Sequence, residues 1–188
     1  MARLTQKRDL RTGRSLWSDS PFTGVPVRPL SEAISVDVAI VGAGISGALM
    51  AHELSRDHRV AVLDRRPPLH GSTLASTALL QWEIDLPLTA LAKDIGWPNA
   101  RRAYLRSRRA VDDLKRIVTE DRIRCGYQDR KALYLAGDAY GSRALEREAQ
   151  ARAEIASESR FPRGGEVRDR LGLDRTGAIL SQGSASAD

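Results

Sequence analysis

The sequence predicts an α/β chain built on a βαβ unit, and three features carry that expectation. A strand-like run, Val36–Val41, ends in the turn Gly42-Ala43-Gly44-Ile45-Ser46-Gly47. Ala48, Leu49, Ala51 and Leu54 then continue at helical spacing. A second apolar run, Val60–Leu63, reads as a buried strand and is closed by Asp64. Strand, glycine-rich turn, helix, strand and acid in this order form the fingerprint of a dinucleotide-binding, Rossmann-like unit.

Each residue type in the turn has a mechanical reason. Gly42 permits the sharp exit from the strand, Gly44 lacks the Cβ that would hold a pyrophosphate away, and Gly47 lets the helix pack closely on the strand. The N–H groups of the first helical turn, around Ile45 and Ser46, have no intrahelical acceptor and carry the positive end of the helix dipole toward a phosphate. Asp64 lies twenty residues after Gly44, where a carboxylate accepts from ribose hydroxyls. It would repel a 2′-phosphate, although Arg65 and Arg66 adjoin it and are counted with the same site. The fingerprint alone does not separate FAD from NAD.

The remaining elements follow in chain order. Met1–Ser35 reads as an irregular arm, because Pro21, Pro26 and Pro29 interrupt regular structure. A helix is expected from about Thr73, a short one over Leu88–Ile95 and a long one from about Asn99 to Glu120. Ile123–Tyr127 and Ala132–Ala136 read as two strands about an Asp129-Arg130 turn. Ser142–Ser157 is rich in helix formers. Phe161–Asp188 is rich in Gly, Ser and Arg and reads as a flexible end, with only Gly177–Ser181 strand-like.

Composition narrows the function. The chain has 188 residues and 41% hydrophobic content, enough for a core, and no apolar run long enough to span a bilayer. Cys125 is the single cysteine, so no disulfide forms within the chain, and a reducing, cytoplasmic compartment is expected. The net charge is +6, but the densest cluster, Arg101, Arg102, Arg106, Arg108 and Arg109, falls on the long helix as a solvated face, and no nucleic-acid-reading motif accompanies it. Three scattered histidines, His52, His58 and His70, and one cysteine do not have metal-ligand spacing, and the histidines read as structural or surface residues.

The segment after the second strand is more specific. His70–Leu86 reads HGSTLASTALLQWEIDL. With GAGISG and Asp64-Arg65-Arg66, it resembles the FAD-dependent oxidoreductases of the D-amino-acid oxidase and glycine oxidase superfamily, most strongly over about Asp9–Leu91 and more faintly over Ala132–Ser181. Similar proteins also carry an arm with a pattern like Asp9-Leu-Arg-Thr-Gly-Arg-Ser-Leu-Trp17. The resemblance implies FAD as the cofactor. It places Ser72, Thr73, Ser76 and Thr77 beside the pyrophosphate and flavin, and Leu80 and Gln81 nearer the ring. A hydroxyl-rich turn of this kind also caps helices.

The reaction implied is oxidation of an amine or amino acid, with hydride passing from a C–H beside the substrate nitrogen to flavin N5. A small-molecule substrate is the implied partner, and no catalytic residue is named. The expected organisation is an arm at 1–35, an FAD-binding Rossmann-like portion at 36–122, and the start of an α+β substrate domain at 123–188. Ala178–Ser181 and Gln182–Asp188 resemble an internal segment of the family. An incomplete fold is therefore expected, with weak FAD binding, no turnover by the isolated chain and protease sensitivity after about Phe161. Two readings stay open beside it: a non-catalytic nucleotide-binding remnant and an NAD-dependent enzyme.

Overall fold

The computed structural model describes Ser15, Trp17 and residues 24–68, 70–155 and 158–188. The chain divides into two compact units, residues 1–77 and residues 78–188.

The first unit is the βαβ element. Strand β1 (Val38–Val41) leads into helix α1 (Ile45–Leu54), which returns the chain to β2 (Val60–Leu63). The strands pair in parallel, from Val38 opposite Val60 to Val41 opposite Leu63. β1 has three β-branched residues of four and β2 has two, which suits strands. At the base of the pair, Asp37 accepts from the Arg59 backbone N–H at 2.8 Å and from its guanidinium at 3.2 Å, closing the crossover. Ile40 and Gly47 are buried between strand and helix, whereas Val41, Ile45, Met50 and Val62 are exposed. Residues 24–35 are irregular and exposed. The rest of the arm, apart from Ser15 and Trp17, lies outside the described residues.

The expected helix from Thr73 is a correction. Ser72–Ala75 form only a 3₁₀ turn, closed by the Ser76 N–H donating to the Thr73 carbonyl at 3.2 Å. Ser76 is extended and Ala78 takes a positive φ of 53°, so the chain leaves the turn for the short strand β3 (Leu79–Leu80).

The second unit is a sheet of order β3-β6-β4, with β5 also pairing β6, all antiparallel. Its elements are β3, helices α2 (Leu88–Ile95) and α3 (Trp97–Glu120), β4 (Gln128–Leu135), α4 (Ser142–Glu154), β5 (Ser159–Arg160), α5 (Gly164–Leu171) and β6 (Ala178–Ser186). Helix α3 starts two residues earlier than expected, because Pro98 fits the first helical positions. Helices α2 and α3 pack in this unit, around Trp82, Leu88, Ala100, Tyr104, Val111 and Ile155. A second cluster joins Ala136, Leu145, Ala149 and Ile179.

Two expectations fail here. Ile123–Tyr127 is not a strand, and Asp129-Arg130 is not a turn. Strand β4 begins at Gln128 and runs through Asp129 and Arg130, with Asp129 opposite Ala185 and Arg130 opposite Ser184, so sheet pairing overrides the local turn signal. Phe161–Asp188 is not a flexible end. Within it α5 forms, and β6 becomes the central strand, with Ala178, Ile179, Ser181, Ser184 and Ala185 buried. Small residues serve a strand covered on both sides, although the same composition reads as loop in isolation. Leu133 and Leu135 are half-buried, and the more exposed Tyr134 meets Tyr140 edge-on at 6.3 Å.

A buried polar knot ties the helices to the sheet. Glu148 accepts from the Leu88 and Thr89 backbone N–H groups, both at 2.8 Å, and so caps α2 from α4. Arg152 Nε donates to the same carboxylate at 2.8 Å, and its guanidinium lies 5.6 Å from the Trp82 ring centre. Trp82 donates its indole N–H to the Gln182 carbonyl at 2.7 Å. That carbonyl sits at a β-bulge, where Gly183 adopts a φ of 78°. Burial pushes the Tyr104 hydroxyl up to about 12, and it donates to the Leu86 carbonyl.

Burial raises the Glu148 carboxyl, but its donors on Thr89 and Arg152 outweigh that and hold it below the ordinary glutamate value of 4.5. A depressed folded-state pKa means that the stabilisation is present above the unfolded value and is lost as pH falls through the folded one. Thermal midpoints should therefore drop as pH is lowered below about 4.5. Glu148→Gln should flatten that drop, and an unchanged slope would remove Glu148 from the acid response.

Candidate functional site

The candidate site is the carboxyl end of the β1–β2 pair. Gly42 leaves β1 with a φ of 114°, and its N–H donates to the Leu63 carbonyl at 2.8 Å, so the glycine turn is stitched to β2. A Cβ on Gly47 would overlap the Gly42 carbonyl oxygen and approach Ile40 Cγ2 at 3.4 Å. Helix α1 therefore rests directly on the turn. Its N-cap is Gly44, which has no side chain of its own to cap with, and no acid lies in the first turn.

Asp64 follows β2 and, through the parallel register, lies beside the turn. Its Oδ2 accepts from the Ala43 N–H and its Oδ1 from the Arg66 N–H, both at 2.9 Å. These two donors hold the Asp64 carboxyl below the usual aspartate range, so it is ionised at neutral pH. Each oxygen keeps a further lone pair, and the side chain is exposed. Arg65 and Arg66 are also exposed, and the Arg66 guanidinium reaches within 3.6 Å of where a Cβ on Gly71 would lie.

The hydroxyl-rich turn meets the helix start. Thr73 Oγ1 accepts from the Ile45 N–H at 3.1 Å and lies 3.3 Å from where a Cβ on Gly44 would sit. Thr73 is thus brought to the glycine turn. Ser72, Ser76 and Thr77 belong to the same unit and are exposed, as is Ser46. Leu80 and Gln81 belong to the second unit. There Leu80 pairs with Ala185 and packs on the Trp82 cluster, and Gln81 is exposed.

Two arm residues join the turn from far away in sequence. Ser15 donates its hydroxyl to the Leu74 carbonyl, and Trp17 Nε1 donates to the Ser76 carbonyl at 2.8 Å. The Asp9–Trp17 pattern was the available signal, but nothing in local sequence says where such an arm docks. Among the described residues, no group of three or more His, Cys, Asp or Glu is placed to hold a metal, and no helix is long and apolar enough to cross a membrane.

Residues 37–188 match the family model described as FAD dependent oxidoreductase. The chain belongs to that family. FAD is the family's cofactor, and the features here that fit its ADP half are a glycine at the point of close approach, a helix start with no acid in its first turn and an ionised carboxylate beside them. Among solved structures, the chain is similar to glycine oxidase from Geobacillus kaustophilus, with a TM-score of 0.61 and 24% identity over 81% of this chain and 40% of that one. It is also similar to L-amino acid deaminase from Proteus vulgaris, with a TM-score of 0.65 and 18% identity over 86% of this chain and 42% of that one. At those identities the likeness speaks to fold. A protein of Bacillus subtilis (strain 168) named as a Rieske 2Fe-2S iron-sulfur protein, YhfW, is 34% identical over 125 residues, which are 65% of this chain and 24% of that protein. The chain thus spans about 40% of the solved relatives and about a quarter of the curated one.

Proposed function

We propose that this chain carries the ADP-binding portion of a flavoprotein that oxidises an amine or amino acid at its C–N bond. The observation that carries the reading is the Asp64–Ala43 hydrogen bond, which sets an ionised carboxylate beside a glycine turn and the start of a helix. In this assignment the N–H groups of Gly44 and Ser46 face the pyrophosphate, Ile45 is held at the helix start by its bond to Thr73, and Asp64 accepts from the adenosine ribose. Gly42, Ala43 and Gly47 shape the turn. Arg65 and Arg66 lend positive charge, and Ser72, Thr73, Ser76 and Thr77 line the approach. Leu80 and Gln81 are assigned to the flavin side by resemblance alone.

When bound, FAD would supply the hydride acceptor for oxidation of a C–H next to the substrate nitrogen. Support for an amino acid substrate comes from the glycine oxidase and L-amino acid deaminase neighbours. Peroxide release during turnover by the whole protein tests the electron acceptor: little peroxide would point to an acceptor other than oxygen, such as the iron–sulfur centre in the Bacillus relative's name. Stoichiometric peroxide would instead point to oxygen.

Asp64→Ala tests the ribose assignment. FAD affinity should fall on the order of tenfold, because two ribose hydroxyls lose an ionised acceptor. FMN, which lacks the adenosine ribose, should bind as before. Equal losses for FMN and FAD would show that Asp64 acts by holding the Ala43 turn instead. A folded protein that is colourless once unbound FAD is removed would favour the non-catalytic remnant.

A further inference from the structure

We propose that the N-terminal arm, through Ser15 and Trp17, clasps the Ser72–Ser76 turn and thereby sets the affinity of the flavin site. The inference rests on the assignment of the glycine turn to FAD. It adds two positioning residues that lie 59 positions before the groups they hold.

The turn needs an outside support. It is a single 3₁₀ turn, and Ser72, Ala75 and Ser76 are exposed, so little packing fixes its shape. One support is internal to the site, where Thr73 Oγ1 accepts from the Ile45 N–H at the start of α1. The other is the arm. Ser15 donates its hydroxyl to the Leu74 carbonyl and Trp17 donates its indole N–H to the Ser76 carbonyl at 2.8 Å. The Trp17 backbone N–H donates in turn to Ser15 Oγ at 3.2 Å, so the two donors are set by each other.

The chemistry of these contacts favours an anionic ligand. Both arm bonds engage carbonyl oxygens, the negative ends of peptide dipoles. With the Leu74 and Ser76 carbonyls engaged by arm donors, neither is available to swing toward a phosphate. Thr73 directly precedes Leu74, the first residue the arm holds, and its hydroxyl sits 3.3 Å from where a Cβ on Gly44 would be. Releasing the arm should therefore loosen the Thr73 hydroxyl from the helix start and weaken the cradle without touching a cofactor-contacting atom.

The test compares Ser15→Ala, Trp17→Phe and Ser15→Thr in the flavin-binding protein, with Gly44→Val as the reference for the site itself. FAD affinity is read by flavin fluorescence, and backbone hydrogen exchange is read over residues 72–76. Ser15→Ala and Trp17→Phe should each weaken FAD by about fivefold, the scale of one lost hydrogen bond, and accelerate exchange in the turn. Ser15→Thr, which keeps the hydroxyl, should restore both. Unchanged exchange in the turn would refute the clasp. Wild-type FAD affinity in both arm variants, beside a Gly44→Val protein that has lost FAD, would refute the clasp and leave the site standing. Retention of FAD by Gly44→Val would remove the site assignment and the clasp with it.

Discussion

Gly47→Ala should disrupt the first unit and abolish FAD retention together. The new Cβ would overlap the Gly42 carbonyl oxygen and come within 3.1 Å of the Gly42 carbonyl carbon. Both are backbone atoms, fixed by the Gly42 N–H bond to the Leu63 carbonyl, so no flexible side chain can give way. Overpacking costs about 1–3 kcal/mol where neighbours yield, and the upper end or more is expected here. Helix α1 would have to lift from β1, which moves its N-terminus away from Asp64. Urea denaturation and FAD titration on the same variant check this, and a variant that keeps both stability and cofactor would mean that the helix does not rest on the turn.

Glu148→Ala should be the most damaging single change in the second unit. It removes the cap from α2, three hydrogen bonds from Leu88 and Thr89, and the partner of a buried guanidinium. The Arg152 and Glu148 side chains are 3% and 2% exposed, so the remaining charge would stay buried. Removing one partner of such a pair costs about 3–5 kcal/mol. Glu83 Oε1 lies 3.7 Å from the same guanidinium and offers only a partial substitute. Because Arg152 also lies over the Trp82 ring, the change should be visible in near-ultraviolet circular dichroism. A midpoint shift within that of a surface control would contradict the structural role given to the knot.

The legible part of the molecule was its local chemistry. The spacing from Gly42 to Gly47, the apolar run Val60–Leu63 and Asp64 specify a βαβ unit within a few residues, so turn, helix and second strand could be read directly. The α2 bounds were equally local, because Pro87 and Gly96 flank an amphipathic run. What stayed hidden depended on partners distant in sequence. Gly183 and its small neighbours look like loop until β3, β4 and β5 are placed beside them, and Asp129-Arg130 looks like a turn until β6 pairs across it. Glu148 is one acid among several on α4 until Leu88 and Thr89 present their N–H groups, 60 and 59 residues away. In the site, Thr73 was expected to open a helix. Instead its hydroxyl meets the start of α1, a contact that only the folded turn reveals.

The central claim, that the turn from Gly42 to Gly47 with Asp64 receives the ADP half of FAD, is tested most directly by calorimetric titration of FAD and ADP into the protein and its Gly44→Val variant. The account predicts that both ligands bind the wild type and that both are lost in the variant. A branched side chain there would occupy the point of closest approach and press on the Thr73 hydroxyl. Circular dichroism of the variant should remain that of a folded α/β protein. Undiminished binding of FAD and ADP by folded Gly44→Val protein would contradict the account.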